Sequence, residues 1–383
     1  MIRVLHIIPG RLYGGVESAM VTLARFRECC PQMATEAAVC WRGRLSAELE
    51  EAGIAVHVLG GVRARNPLSI WRARRRLHDL LLGDRFDAVV CHMPWVLAIF
   101  GPAVRTHAAL LVFRAHGAGN PRHWVERWAR MTRPDLVLAV SRFVAADVEK
   151  QFPGVPVQVV YNPVPPARPS TAEQRRAVRA ELNTSPDAIV IAQAGRMQPG
   201  KGHPVLLDAL AGLRELNWEC WQIGGPQTAS EDEYFGELQR RALRLGIADR
   251  IRFLGQRHDV PRLLAAADIY CQANDTFPEG MGLTFVEAMG AGLAVVTTGI
   301  GAATELVDGH CGVLVSPGDT DGLRLALRTM IETPALRREL ANNSFSRASG
   351  LAPAVQIPLL EDSLLGVLKV RQFRRNPRIS QVA

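Results

Sequence analysis

The sequence predicts an α/β protein of two doubly wound, parallel-sheet domains, and three observations lead there. The chain has 383 residues, more than one hydrophobic core ordinarily organises. Short β-branched runs alternate with helical patterns from the first residue to about Pro334, as in parallel strands covered by helices on both faces. That alternation is interrupted near the middle by residues 162–171, NPVPPARPST, whose four prolines favour an extended connection over helix or strand.

Taken in order, the first series places strands near residues 4–8, 36–40, 55–59, 88–92, 110–114, 136–140 and 158–161. The second places them near 189–194, 219–223, 251–254, 268–271, 293–297 and 312–315. Helix boundaries support the count. Asn66 and Pro67 read as cap and first helical residue before SIWRARRRLHDLLL, and Gly246 closes the helix that contains RRALRL. The domains therefore run over 1–165 and 166–352, with a C-terminal helix and basic tail over 353–383. Each series reads as a Rossmann-like sheet. Such sheets take ligands beyond the carboxyl ends of their strands, so the chemistry is expected in loops that follow strands, facing a cleft between the domains.

Composition narrows the class. Hydrophobic residues make up 48% of the chain and charged residues 21%, enough to fill two cores and too little charge for a disordered protein. The seven cysteines are odd in number and lack the C-x2-C spacing of zinc or redox sites, which reads as a reduced, cytoplasmic protein. MIRVLHII leads directly into a strand, without the pattern of a secretion signal. The longest apolar stretch, residues 89–104, contains His92, Pro94 and Pro102 and falls short of the ~20 residues that span a bilayer. A net charge of +8 suits anionic partners: nucleotide diphosphates, nucleic acids or anionic lipids. No recognition motif or stacking platform for nucleic acid accompanies that charge.

Three loops carry candidate chemistry. In IIPGRLYGGVESAM, Gly14 and Gly15 end a strand-to-helix turn and allow close approach of a ligand to the backbone; the spacing is not the G-x-G-x-x-G of a dinucleotide fold. In AQAGRMQPGKGH, Arg196 and Lys201 stand five residues apart, two cations suited to a leaving diphosphate. The loop is not a P-loop, because Gly202 stands where Ser or Thr is required. In NDTFPEGMGLTFVEAMGAGLAVV, a glycine-rich loop opens into a helix near Leu283. Glu279 lies in that loop and Glu287 about one turn into the helix, while Gly280 and Gly282 free the amides to face an anion. Two carboxylates flanking an anion site suit a sugar, a diphosphate and a ribose in a row.

Together these segments resemble family 4 of the retaining glycosyltransferases, the GT-B type, marked by E-x7-E, here EGMGLTFVE. The resemblance runs over nearly the whole chain through GGVE, LAVSRFVAADV, YNPV, GRMQPGKG, IRFLGQRHDVPRLLAAADIYCQAN and TTGIGAATELVDGHCGVLV. It implies that Arg196 and Lys201 bind the donor diphosphate, Glu279 the transferred sugar and Glu287 the ribose hydroxyls. The amides of Gly282 and Leu283 join at phosphate or sugar, Gly15 approaches the diphosphate, and His116 in FRAHGAGN sits beside the sugar. It also implies that the C-terminal helix returns to the first domain. Three departures bear on donor choice: Met281 where Phe is frequent, Gly301 and Ala302 for a glycine pair, and Gly224, Gly225 and Pro226 for a G-D-G turn.

The resemblance further implies front-face transfer of a hexosyl unit from a nucleotide-diphosphate sugar to an acceptor hydroxyl, with retention and no cofactor. The departing phosphate takes the acceptor proton, so no dedicated base is required. There is no D-x-D motif, in keeping with metal-independent catalysis, and DRFD at 84–87 reads as a turn before a strand. Glu279 as a covalent nucleophile is the competing assignment to hydrogen bonding. The alternatives in other classes are a nucleotide-sugar epimerase of the same architecture and a basic nucleic-acid-binding protein. The first domain is rich in arginine and tryptophan: Arg63, Arg65, Arg72, Arg74, Arg75 and Arg76, then Trp95, Trp124 and Trp128 with Arg122, Arg127 and Arg130. Basic and aromatic residues suit an anionic headgroup layer. The expectation is peripheral binding at the inner leaflet and a glycan or lipid-linked glycan acceptor, in polysaccharide or glycolipid assembly.

Overall fold

Buried β-branched runs become thirteen strands among the residues that the computed structural model describes, 1–120, 122–165 and 170–375. In the first sheet these are β1 (Ile2–Ile8), β2 (Met33–Val39), β3 (Val56–Val58), β4 (Ala88–His92), β5 (Leu110–Ala115), β6 (Leu136–Ala139) and β7 (Val157–Val159). They lie parallel in the order β3-β2-β1-β4-β5-β6-β7. The second sheet holds β8 (Ile189–Ala194), β9 (Trp218–Ile223), β10 (Ile251–Gly255), β11 (Ile269–Gln272), β12 (Ala294–Thr298) and β13 (Gly312–Val315). Its order is β10-β9-β8-β11-β12-β13, again parallel. Strand β4 and strand β5 are buried along their whole length, which is why each opens as a continuous apolar run, AVVC and LLVF, rather than an alternating one.

Two positions in these orders matter for function. The first sheet reverses direction between β1 and β4, and the second between β8 and β11. At such a switch point the loops leaving adjacent strands run to opposite faces, and a crevice opens at the carboxyl ends.

The chain divides into two compact units, Met1–Pro163 with the segment from Pro353 onward, and Val164–Ala352. In the first unit the helix Pro353–Arg375 inserts Ile357, Leu360 and Leu364 into the core beside Ile8, Leu23 and Leu136. Two polar ties fix it: Gln32 N–H donates to Glu361 Oε1 at 2.6 Å, and Tyr161 N–H to Gln356 Oε1 at 3.0 Å. The basic tail from residue 376 and residues 166–169 of the proline-rich connection lie outside the described residues. The second core is built around Trp218, Leu206, Leu210, Ile269 and Val296, each large aliphatic side chain contributing about 1.5–3 kcal/mol on burial.

The boundary signals act as expected. Asn66 Oδ1 accepts the Ser69 N–H at 3.1 Å to cap the helix Pro67–Gly83, and Gly246 follows the helix Ala229–Arg244 with φ +64°. Asp84 and Asp87 are structural: Asp84 ends the helix Pro67–Gly83, and Asp87 Oδ2 accepts the Arg3 N–H at 2.8 Å. Strand β2 starts three residues earlier than its sequence suggests, because Met33 pairs in register with Ile2. Residues 334–373 form a helical run long and apolar enough, by length and composition, to cross a membrane. That run is broken at Ala352, which is extended (φ −65°, ψ 154°). All seven cysteines are free thiols.

Candidate active site

In the second unit, the loops that leave β8 and β11 meet at the switch point and are strapped together by backbone. Gly200 O accepts the N–H groups of Asp275 at 3.2 Å and Phe277 at 3.3 Å. Gln193 Nε2 donates to Lys201 O at 2.9 Å. Gly202, at φ +69°, passes so close to the second loop that a Cβ would sit 1.6 Å from Ala273 O, so no other residue fits there. This strap delivers Lys201 to Glu279, and the ammonium and carboxylate form an ion pair with side chains only 15% and 17% exposed. Lys201 Nζ also lies 4.4 Å from the Phe277 ring centroid, a cation–π contact on a desolvated charge.

Glu279 is held from several sides. Its Oε1 accepts Gln272 Nε2 at 2.8 Å in addition to Lys201. Its carbonyl accepts the Ala302 N–H at 3.0 Å, so the Gly301–Ala302 turn packs on the loop. Asn274 Nδ2 donates to Phe277 O at 2.8 Å, and Thr298 Oγ1 to Asn274 O at 2.7 Å. Among the described residues all donors to this carboxylate reach Oε1, leaving Oε2 for a ligand.

The helix Leu283–Gly290 starts where expected, with Gly282 as its cap at φ +73°. Its first turn is fixed by Thr284, whose Oγ1 donates to Ala194 O at 3.1 Å and lies 2.9 Å from the Tyr270 hydroxyl. Tyr270 in turn lies 3.0 Å from Gln272 Oε1. Burial raises the Tyr270 hydroxyl, and the charges of Glu279 and Glu287 raise it further; both carboxylates of EGMGLTFVE thus bear on one point. Burial pushes the Glu287 carboxyl up to about 7. Arg196 is placed differently. It pairs with Glu231 of the helix Ala229–Arg244, so Arg196 and Lys201 have separate carboxylate partners rather than forming one cationic pair.

In the first unit, Gly14 caps the helix Gly15–Arg25, and its N–H donates to Glu17 Oε2 at 3.0 Å. That amide, read from sequence as open to a ligand, is occupied by a side chain. His116 follows β5, on a loop tied down where Gly119 N–H donates to Asp147 Oδ2 at 2.7 Å. Its Nε2 lies 2.9 Å from His92 Nδ1, and His92 Nε2 lies 2.9 Å from His6 Nδ1. Burial lowers all three rings, His6 to about 3, with the Arg114 cation adding to the effect. Arg114 is buried, and its Nη2 donates to Asn162 Oδ1 at 3.0 Å and Val160 O at 3.2 Å. Burial draws that guanidinium down to about 10.

The basic surface is narrower than the sequence suggests. Arg74 turns inward, its Nε donating to Ile99 O at 2.5 Å, and Arg76 Nη1 donates to Leu59 O at 3.2 Å. Trp95 packs edge-on against Trp41 at 6.2 Å. Arg63, Arg65, Arg72, Arg75, Arg76, Arg122 and Arg127 remain exposed, with Trp71 and Trp124 among the exposed apolar groups and Trp124 stacked on Trp128.

Residues 174–347 match the family model described as glycosyl transferases group 1, and residues 13–168 match the model described as Glycosyltransferase Family 4. The chain belongs to the family 4 glycosyltransferases. This family 4 chain is 33% identical over 188 residues to the D-inositol 3-phosphate glycosyltransferase of Stackebrandtia nassauensis, covering 47% of this chain and 42% of that protein. It is 29% identical over 226 residues to the lipopolysaccharide core biosynthesis mannosyltransferase LpsB of Rhizobium meliloti, covering 56% and 61%. The chain thus spans about half the length of the curated relatives it matches. Among solved structures it is similar to Anabaena Alr3699/HepE in complex with UDP-glucose, at 25% identity and a TM-score of 0.85, over 96% of this chain and 100% of that one.

Proposed function

We propose that this chain transfers a hexosyl unit from a nucleotide-diphosphate sugar to an acceptor hydroxyl, with retention of configuration, in the assembly of a cell-surface polysaccharide or glycolipid. The observation that carries this reading is the meeting of Lys201 and Glu279 at the switch point of the second sheet, directly before the helix Leu283–Gly290. Fixed positive charge and helix-terminal amides together stabilise a diphosphate that gains charge as the glycosidic bond breaks. Lys201 and Arg196 supply that charge, the amides of Gly282 and Leu283 add to it, and Glu287 receives the ribose hydroxyls. Gly15 and His116 of the first unit complete the donor contacts, while the Gly14 amide is taken by Glu17.

Glu279 acts by hydrogen bonding to the sugar. A carboxylate whose Oε1 already accepts from Lys201 and Gln272 has lone pairs committed to fixed donors and is a poor nucleophile, while Oε2 can accept a sugar hydroxyl. The acceptor proton passes to the departing phosphate, and the route asks for no metal. The complex of Anabaena Alr3699/HepE with UDP-glucose makes uridine diphosphate sugars the first donors to test. We place the enzyme in the cytoplasm, at the inner membrane face, with a glycan or lipid-linked glycan as acceptor. The exposed arginines and Trp71 and Trp124 support that placement.

The test is a thermal-shift screen against UDP, GDP and ADP sugars, since a ligand held at about 100 Kd adds about 2.7 kcal/mol of apparent stability. It is followed by nucleotide release with and without a glycan acceptor. Selective stabilisation by one sugar nucleotide and acceptor-dependent release are expected. Conversion of the donor sugar without any acceptor would instead favour an epimerase, and a trapped glycosyl adduct on Glu279 would overturn its assigned role.

A further inference from the structure

The three histidines of the first unit form a line that the proposed reaction leaves unexplained beyond His116. They come from β1, from the end of β4 and from the residue after β5, adjacent strands at the switch point. A neutral imidazole has one N–H and one lone pair. Each 2.9 Å contact, His6 Nδ1 with His92 Nε2 and His92 Nδ1 with His116 Nε2, needs one of each. Burial and the nearby Arg114 cation hold the rings neutral. Just two proton arrangements then satisfy both contacts. Either every ring carries its proton on Nε2, and His116 presents a lone pair at Nδ1, or every ring carries it on Nδ1, and His116 presents an N–H donor.

The inner end decides between them. His6 is 1% exposed, and its Nε2 is buried without a hydrogen-bond partner among the described residues; the same holds for Nη1 of Arg114. Both residues line one cavity of about 20 Å³, with Asn162 and Gln356 also in its wall. That volume accommodates about one water. A guanidinium only donates, and a water that accepts from it is polarised to donate onward. His6 Nε2 is the acceptor waiting for that donation.

We infer that a single water bound between Arg114 and His6 orients the histidine line, and that His6 and His92 are positioning residues which hold His116 as an Nδ1–H donor. Resting on the sugar-transfer reading, this makes His116 a hydrogen-bond donor to the transferred sugar rather than a base. Its orientation is then set from inside the domain.

The test is a long-range ¹H–¹⁵N correlation spectrum of the full chain labelled with ¹⁵N-histidine, which reports the tautomer of each ring without any donor or acceptor. All three rings are expected neutral and protonated on Nδ1 near neutral pH, with a cross-peak from a long-lived water to the His6 ring. Finding His116 protonated on Nε2, or no such water, overturns the inference. In His92→Phe, His116 is expected to populate both tautomers, and kcat to fall ~10- to 100-fold while the donor KM moves less than ~3-fold. An unchanged His116 tautomer in the folded variant refutes the positioning role. If that variant does not fold, the wild-type spectrum still decides, and because the spectrum needs no turnover, it stands or falls apart from the proposed activity.

Discussion

Replacing Glu287 by Gln is expected to stabilise the protein at alkaline pH and to leave it unchanged in acid. Burial lifts this carboxyl from 4.5 to about 7. Below the lower value both folded and unfolded chains hold the proton. Between the two values the folded chain keeps a proton that the unfolded chain has lost, so stability falls as pH rises; above 7 both are ionised and the loss is complete. At about 1.4 kcal/mol per pH unit the shift sets a ceiling of ~3 kcal/mol, and the solvent that still reaches Glu287 reduces this to about 1–2 kcal/mol. Urea denaturation of wild type and Glu287→Gln at several pH values between about 4.5 and 8 measures it. The difference should open by that amount in favour of the variant as pH rises. A constant offset across the range would refute the argument. The same ionisation should govern nucleotide binding: if the ribose hydroxyls need the carboxylate, wild-type affinity rises up to ~10-fold per pH unit below 7, and the Gln variant shows a flat profile.

Gly202→Ala puts a Cβ 1.6 Å from Ala273 O at a φ of +69°; it is expected to cost more than ~3 kcal/mol, read as a lowered Tm or as loss of soluble protein. Lys201→Met and Glu279→Gln each strand a largely buried charge or donor, so each single change should cost ~2–4 kcal/mol. The double variant should cost less than their sum by ~1–3 kcal/mol in a urea-based cycle, while all three lose sugar transfer. Sedimentation with anionic vesicles at physiological salt should retain the wild type, and Arg72→Glu with Arg75→Glu should weaken binding by at least ~10-fold. Arg74→Gln should lower stability instead, because its guanidinium donates to Ile99 O; a wild type that stays in the supernatant removes the membrane proposal.

The strands were legible because central strands covered on both faces are mostly apolar, as in the runs 88–91, 110–113 and 136–139. Strand ends were less so: Met33 and Ala34 have no β-branch, yet register with Ile2 and Arg3 draws them into β2. Glu279 and Lys201 were legible as motif residues, but their meeting depends on the order β8-β11, which places loops 78 residues apart in sequence side by side. Gln272, Asn274 and Tyr270, which support that meeting, look like ordinary residues at a strand end. His6 and His92 were invisible for the same reason, being 86 residues apart and each a lone histidine in an apolar strand. Arg74 misled because counting charges ignores helical phase. It flanks the buried stripe Ala73, Leu77 and Leu81, and a long side chain beside such a stripe can turn in to reach carbonyl oxygens.

The helix Pro353–Arg375 has a consequence for how the molecule is made. Ile357, Leu360 and Leu364 belong to the core begun by Ile8 and Leu23, yet they are synthesised only after the whole of Val164–Ala352. At translation rates of about 5–20 residues per second, the first unit waits roughly 10–40 s with one wall of its core unfilled. The second unit, continuous in sequence, can finish first. During that interval Leu23 and its neighbours present an apolar groove to solvent, and a nascent chain halted before residue 353 would be a client for chaperones rather than a folded domain.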